Sequence, residues 1–375
     1  MKTLVTGGAG FIGSHLCDAL LRAGHQVRVL DDLLPQAHPT GTAVFLAQEA
    51  ELHVGDLRDR AAVDRALEDV DLVFHLGGMV GNGQSMFQIH RYLDVNTLGT
   101  ATLLEAMIAR RAQFKRLVVA SSMVVYGDGA YACPEHGPVS VARPTTRLRQ
   151  GQWEPICERC GLEVRAIATA EGHPLRPTST YGISKRDQEE LSLVLGRAHG
   201  LPTVALRYLN VYGSRQALGN PYTGVAAIIA ARILSNRRPT LFEDGQQRRD
   251  FVHVSDVVRA NLCAAEAGAA ALFQAFNVAT GESVTILELA QRIARALGRP
   301  DLEPDLTSEF REGDIRHCFA DTTRAQALLK FKASTPRDTG FAELTAWAAN
   351  QRPPESTEAA NDELRARNLI QRVSR

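Results

Sequence analysis

The sequence predicts an α/β protein of the Rossmann-type, doubly wound parallel-sheet class, continued by a smaller segment of mixed α/β character. Three observations carry the prediction. Short β-branched runs alternate with helical patterns through the first half of the chain, as a parallel sheet covered on both faces requires. A glycine-rich turn, Thr6-Gly7-Gly8-Ala9-Gly10-Phe11-Ile12-Gly13-Ser14, stands between the first strand and the first helix. Beyond Tyr212 the alternation gives way to a mixed order of helices and short strands.

Taken in order, strands are expected at 2–6, 26–30, 51–54, 72–75, 117–121 and 203–209, with enough chain between them for crossover helices. One such helix is expected over 96–112, where Leu98, Ala101, Leu104 and Ile108 fall near helical period and mark a face for the core or for a dimer contact. In the second segment the pattern predicts a helix over 223–235, a strand over 240–243, and a helix opened by Thr285-Ile286-Leu287-Glu288, which has the form of a capping box. After Trp347, two prolines, many charges and little apolar periodicity predict a partly frayed tail or a short exposed helix.

Composition narrows the function classes. The 375 residues carry 42 Lys+Arg against 42 Asp+Glu, a formal net charge of zero, which removes any bulk electrostatic case for nucleic acid or an anionic membrane. With 45% hydrophobic and 22% charged residues, the chain is neither a disordered polymer nor a disulfide scaffold. It has no run of about eighteen apolar residues, the least that spans a bilayer. Met1 leads straight into a strand, without a charged leader and apolar signal region, so a cytoplasmic protein is expected.

The glycine turn suits a dinucleotide. Gly7 permits the tight turn, Gly10 lets backbone N–H groups approach a pyrophosphate, and Gly13 lets the helix pack on the strand, with Phe11 and Ile12 at the helix N-terminus that faces the phosphate. Asp31 and Asp32 end the second strand, where a carboxylate accepts hydrogen bonds from ribose hydroxyls and repels a 2′-phosphate, which favours NAD over NADP. Asp56 and Leu57 fit two roles equally: contact with the adenine ring, or, for Asp56, the cap of the following helix.

Tyr181 and Lys185 stand four residues apart, on one face of a helix. A nearby ammonium stabilises a phenolate and lowers the tyrosine pKa, which makes it a base for a hydroxyl proton while hydride leaves the same carbon. Ser121-Ser122-Met123-Val124-Val125-Tyr126-Gly127 follows the fifth strand. With Arg207-Tyr208-Leu209-Asn210-Val211-Tyr212-Gly213, Arg249-Asp250-Phe251-Val252-His253 and Phe276-Asn277-Val278-Ala279-Thr280-Gly281, the chain resembles the extended short-chain dehydrogenase/reductase family over nearly its whole length, in particular its nucleotide-sugar epimerases and dehydratases.

The resemblance implies residue roles. Ser122 would hydrogen-bond the reacting oxygen, Tyr181 would be the base, and Lys185 its partner and a ligand of the nicotinamide ribose. Asn210, Arg249 and Arg311 would line the nucleotide-sugar diphosphate site, Arg249 first among them. His253, within an apolar run, is a packed structural residue. The resemblance also implies an NAD-binding domain over 1–210, a substrate-binding domain over 211–350, a tail over 351–375, and a homodimer through the helices beginning near Asn96 and Tyr181. Resembling dehydratases carry Asp-Glu directly after the hydroxyl residue. Met123 and Val124 stand there in this chain, so elimination is disfavoured and 4-epimerisation, or reduction of a 4-keto sugar, remains.

Relatives usually have far fewer residues between serine and tyrosine, so 130–172 reads as an insertion. It holds Cys133-Pro134-Glu135-His136-Gly137 and Cys157-Glu158-Arg159-Cys160-Gly161, two knuckles whose three thiolates and one imidazole suit a closed, structural tetrahedral zinc site. Free cysteines or a labile redox pair are the alternative. This insert, with the run 313–321, is most like that of bacterial dTDP-L-rhamnose 4-epimerases. A nucleotide-diphosphate sugar is therefore the expected partner, a dTDP-6-deoxyhexose first and a UDP-hexose second. A catalytically idle NAD-binding scaffold is the competing class.

Overall fold

The computed structural model describes residues 1–139, 141–351 and 356–373. Its centre is a seven-stranded sheet of β1 (Lys2–Thr6), β2 (Gln26–Asp31), β3 (Glu51–Val54), β4 (Leu72–His75), β5 (Arg116–Ser122), β6 (Thr203–Tyr208) and β7 (Gln274–Val278), in the order β7-β6-β5-β4-β1-β2-β3. Every pairing is parallel. The order reverses between β1 and β4, and ligands of open α/β sheets bind at the C-terminal strand ends beside such a switch.

Both faces of the sheet are covered, which is why its strands read as near-continuous apolar runs. On one face Leu16 and Leu20 of helix α1 (Phe11–Arg22) pack with Val5, Val29, Phe74, Leu206 and Phe276. On the other, Val63 of α2 (Arg60–Ala66) and Leu103, Leu104 and Met107 of α3 (Gly99–Ala109) cover Leu4, Leu30, Val73 and Leu117. Of the apolar stripe expected over 96–112, Leu104 joins this core and Ile108 packs against it. A π-helical turn, Leu93–Leu98, precedes α3 and turns Leu98 outward, 57% exposed.

Beyond residue 210 the chain is shared between two cores. Helix Val254–Glu266 and β7 return to the large sheet, whereas helices Val225–Leu234, Ile286–Ala296 and Arg337–Ala349 enclose Tyr212, Phe251, Leu289, Ile293, Phe341 and Leu344. The capping box forms: Thr285 Oγ1 accepts from the Glu288 N–H at 3.0 Å, and Glu288 Oε2 accepts from the Thr285 N–H at 2.8 Å. The strand expected over 240–243 is only Thr240–Leu241. Strand β7 is not among the expected strands, because an alanine-rich approach, Gly268-Ala269-Ala270-Ala271, obscures it.

The insertion is a three-stranded antiparallel sheet, Tyr131–Cys133, Gly137–Val139 and Arg165–Ala166, around a small core of Tyr131, Cys133, Cys157 and Val164. The tail is where the structure departs most from expectation. Positions 352–355, 374 and 375 lie outside the described residues, but Ser356–Ala366 is a helix and Ile370–Arg372 a strand paired antiparallel with Glu309–Arg311. The short helix of the second expectation forms, but it is docked rather than exposed, since Leu364 and Ile370 are 3% and 5% exposed. Among the described residues no helix is long and apolar enough to cross a membrane.

Candidate active site

A single cavity of about 1260 Å³ runs along the C-terminal ends of the strands, from the glycine turn to the second core. At its first end the backbone decides the geometry. Gly7 has φ +67°, and a Cβ on Gly13 would lie 2.2 Å from the Gly7 carbonyl oxygen, so no other residue fits either place without moving the turn. Gly10, Phe11 and Ile12 line the same end, with α1 starting at Phe11.

Asp31 and Asp32 separate in role. Asp31 is buried and bonded to the turn itself: Oδ2 accepts from the Ala9 N–H and Oδ1 from the Leu33 N–H, both at 3.0 Å. Burial raises its pKa, with these bonds acting against the shift. Asp32 is exposed at the rim, with Oδ1 accepting from the Leu34 N–H at 3.2 Å, and offers the more open carboxylate. Asp56 is not a helix cap. The helix that follows is capped by Asp59, whose carboxylate accepts from the Ala61 N–H at 2.9 Å. Asp56 instead pairs with Arg58 at 2.5 Å, which lowers its pKa, and lines the cavity beside Leu57.

Ser122, Tyr181 and Lys185 meet in the middle of the cavity. Ser122 ends β5, and Tyr181 opens helix α4 (Thr180–His199), which is capped by Ser179 through the Gly182 N–H at 3.0 Å. The Tyr181 phenol lines the cavity together with Ser122. Burial pushes its pKa up to about 12, with Ser122 opposing. Lys185 sits one turn on, its ammonium donating to the Ala120 carbonyl, and burial brings its pKa down to about 8 against the pull of Glu189. Burial sets the direction at the tyrosine, and the Lys185 ammonium, one turn on, faces the β5 carbonyl.

Behind these residues lies a buried polar cluster that spacing does not reveal. Glu189 Oε1 pairs with Arg207 at 2.5 Å and its Oε2 accepts from the Ser121 hydroxyl at 2.6 Å. Arg207 donates to the Tyr126 hydroxyl at 2.8 Å, which donates to Asn277 Oδ1 at 2.7 Å. The cluster ties together the ends of β5, β6 and β7 and one face of α4. Its only signal in the sequence is that Glu189 stands one helical turn after Lys185.

At the other end of the cavity the three residues assigned by resemblance differ. Asn210 Oδ1 is buried and has no hydrogen-bond partner. Arg249 ranks first by resemblance, and part of its guanidinium is held by carbonyls: Nη1 donates to Arg248 and Arg316, and Nη2 to Ile315. Arg311 is freer, with Nε buried and unpartnered and its guanidinium stacked 4.1 Å from the Phe242 ring centroid. Arg249 braces the loop that follows Arg311, and both line the cavity.

The four insert ligands converge. One donor atom each from Cys133, His136, Cys157 and Cys160 lies within 4.8 Å of all the others. The closest separations are 3.5 Å from His136 Nδ1 to the sulfurs of Cys133 and Cys157, and 3.6 Å between Cys133 and Cys160. Zinc–ligand bonds of about 2.3 Å to sulfur and about 2.0 Å to nitrogen give tetrahedral edges of about 3.8 Å and about 3.5 Å, so the donor set fits that ion. The insert also grips the cavity wall. Arg143 pairs with Glu243 at 2.6 Å and donates to the Asp314 carbonyl at 3.1 Å, while Glu154 pairs with Arg316 at 2.5 Å and His317 at 2.9 Å.

The sequence profile of the NAD dependent epimerase/dehydratase family matches residues 3–147 and 162–279, and the break between the two falls inside the insert. A dTDP-L-rhamnose 4-epimerase of Burkholderia thailandensis is 34% identical over 93% of this chain and 95% of its own. The crystal structure of UDP-glucose 4-epimerase from Thermotoga maritima, with UDP-glucose, has a TM-score of 0.77 at 30% identity and covers 92% of this chain and 98% of that one. That of the Thermus thermophilus UDP-glucose 4-epimerase complex with NAD has a TM-score of 0.73 at 30% identity, covering 93% and 99%.

Proposed function

The chain belongs to the NAD dependent epimerase/dehydratase family, and from that premise we propose that it is an NAD-dependent nucleotide-sugar 4-epimerase whose substrate pair is dTDP-L-rhamnose and dTDP-6-deoxy-L-talose. The observation that carries the reaction class is the Ser122–Tyr181–Lys185 group in one cavity with the glycine turn and Arg311. NAD, when bound, supplies the hydride acceptor and donor.

The residues of the chain do the rest. Ser122 holds the C4 oxygen by a hydrogen bond. Tyr181 takes the C4 hydroxyl proton as the sugar is oxidised and returns it as the alcohol re-forms. Lys185 supplies the cation that a phenolate needs in a desolvated site. Met123 and Val124, next to Ser122, have no ionisable group, so nothing there exchanges protons at neighbouring carbons and the C4 ketone returns to alcohol rather than losing water. Asp32 at the rim disfavours a 2′-phosphate and with it a net NADPH-dependent reduction.

The sugar is tested by proton NMR of dTDP-L-rhamnose, UDP-glucose and UDP-galactose incubated with the protein and no reductant. A C4 epimer in the dTDP-L-rhamnose tube alone is expected. Turnover of the UDP-hexoses alone selects the second reading, which the likeness to the Thermotoga enzyme supports. Stoichiometric consumption of added NADH or NADPH would remove both.

The knuckle is proposed to hold one structural zinc through Cys133, His136, Cys157 and Cys160, which closes the coordination shell and supplies folding energy to an insert with a small core. Metal analysis is expected to give one zinc per chain, and Cys157→Ser to release it and lower the melting temperature by several degrees. Full retention of thermal stability in metal-free Cys157→Ser would remove the structural role. The homodimer is supported by Leu98, Ile183 and Val194, all exposed on or beside α3 and α4.

A further inference from the structure

The stretch that composition marks as a tail forms one wall of the cavity. Helix Ser356–Ala366 and strand Ile370–Arg372 strap the strand that carries Arg311, with Ile370 in register opposite it. The strap is held by more than its apolar contacts. Arg365 and Arg372 both pair with the buried carboxylate of Glu309 at 2.9 Å, and the Arg367 guanidinium lies 4.3 Å from the Phe87 ring centroid. The insert reinforces it from outside, where Arg149 donates to Gln371 Oε1 at 3.0 Å.

This docking brings Asn361 to the cavity, 8% exposed and among its lining residues. Its Oδ1 accepts from Arg311 Nη2 at 3.3 Å. Its two amide N–H donors make no hydrogen bond among the described residues. Beside it, Arg311 has a buried Nε without a partner.

We infer that Asn361 is a substrate-binding residue: its carbonyl orients the Arg311 guanidinium, and its amide N–H groups donate to the same diphosphate oxygens that Arg311 attracts. The inference rests on the nucleotide-sugar reading and adds to it a residue from the far end of the chain. The chemistry explains why the side chain is an amide. A neutral acceptor fixes the guanidinium without cancelling its charge, whereas a carboxylate in its place would pair with Arg311, lose both donors and repel the diphosphate.

The test is calorimetric titration of the NAD-loaded enzyme with dTDP and with UDP, for the natural chain, Asn361→Ala and Asn361→Asp, alongside melting temperature and retained NAD. The natural chain is expected to bind at least one nucleotide. Asn361→Ala is expected to weaken that binding about tenfold, as loss of a hydrogen bond to a charged group does. Asn361→Asp is expected to weaken it further, although its nearly identical shape preserves the contact with Arg311. Melting temperature and NAD content should stay at their natural values in both, and turnover should show the loss in KM rather than kcat. Unchanged nucleotide affinity in Asn361→Asp would overturn the inference and leave the nucleotide-sugar reading standing. Failure of the natural chain to bind either nucleotide would overturn both.

Discussion

The two ends of the cavity are built by different means. At the glycine turn, a few consecutive residues make the site and the backbone is its working part: Gly7 at φ +67° and Gly13, where a Cβ has no room, fix the approach of a ligand to main-chain N–H groups. At the other end side chains form the lining, and Asn210, Arg249, Arg311 and Asn361 reach it from four separate segments. Behind them Arg316, 1% exposed, is held by Glu154 of the insert and by Glu243 and Asp244. Removing one partner of such a buried cluster leaves an uncompensated charge, so this end depends on the insert being in place. A contiguous backbone site can be kept while the other end varies.

The sharpest cut between the two ends is at the seam. Tyr181→Phe keeps the ring, the helix and the glycine turn but removes the proton acceptor, so kcat is expected to fall by about three orders of magnitude. NAD content and dTDP or UDP affinity should be unchanged, and all three can be measured on one preparation. Retained turnover would mean another group takes the proton.

Next in size is the backbone end alone. Gly13→Ala puts a methyl 2.2 Å from the Gly7 carbonyl oxygen, so the turn must open and α1 must shift. The expected result is loss of bound NAD and a destabilisation of about 3 kcal/mol or less, of the size that overpacking causes. Nucleotide affinity at the other end should fall far less than NAD affinity. Equal losses at both ends would show that the two are one cooperative unit and would break the comparison.

The same contrast explains what is legible in the sequence. Strands buried on both faces read as apolar runs, and six of the seven are recognisable with ends within a residue or so. The glycine turn and the Tyr181–Lys185 pair are readable because their spacing is local. Nothing local marks the strap. It docks through isolated side chains, Leu364 and Ile370, and through two arginines on Glu309, with no period to detect. Likewise, no spacing shows that Arg249 is bonded to the carbonyls of Ile315 and Arg316, far along the chain. Motif recognition names a cation; only the fold shows whether its N–H groups are free.

The smallest effect concerns the residue at the seam that the fold disfavours. Burial lowers the Lys185 pKa from 10.5 to about 8. Between those two values the unfolded chain binds a proton that the folded chain does not, so this group makes stability rise with pH through that window. Below about pH 8 the ammonium is charged in both states, and the folded protein carries the cost of its desolvation, partly offset by the bond to the Ala120 carbonyl. Lys185→Met removes the charge at similar length. It is expected to raise the melting temperature at pH 7 by a few degrees, and the gain should shrink above pH 8 and vanish near 10.5, while turnover is lost. A melting temperature that falls at pH 7 would mean the ammonium's hydrogen bonds outweigh its desolvation. The seam would then be held by polar contacts like the substrate end, rather than carrying a charge that the fold tolerates for the sake of the chemistry.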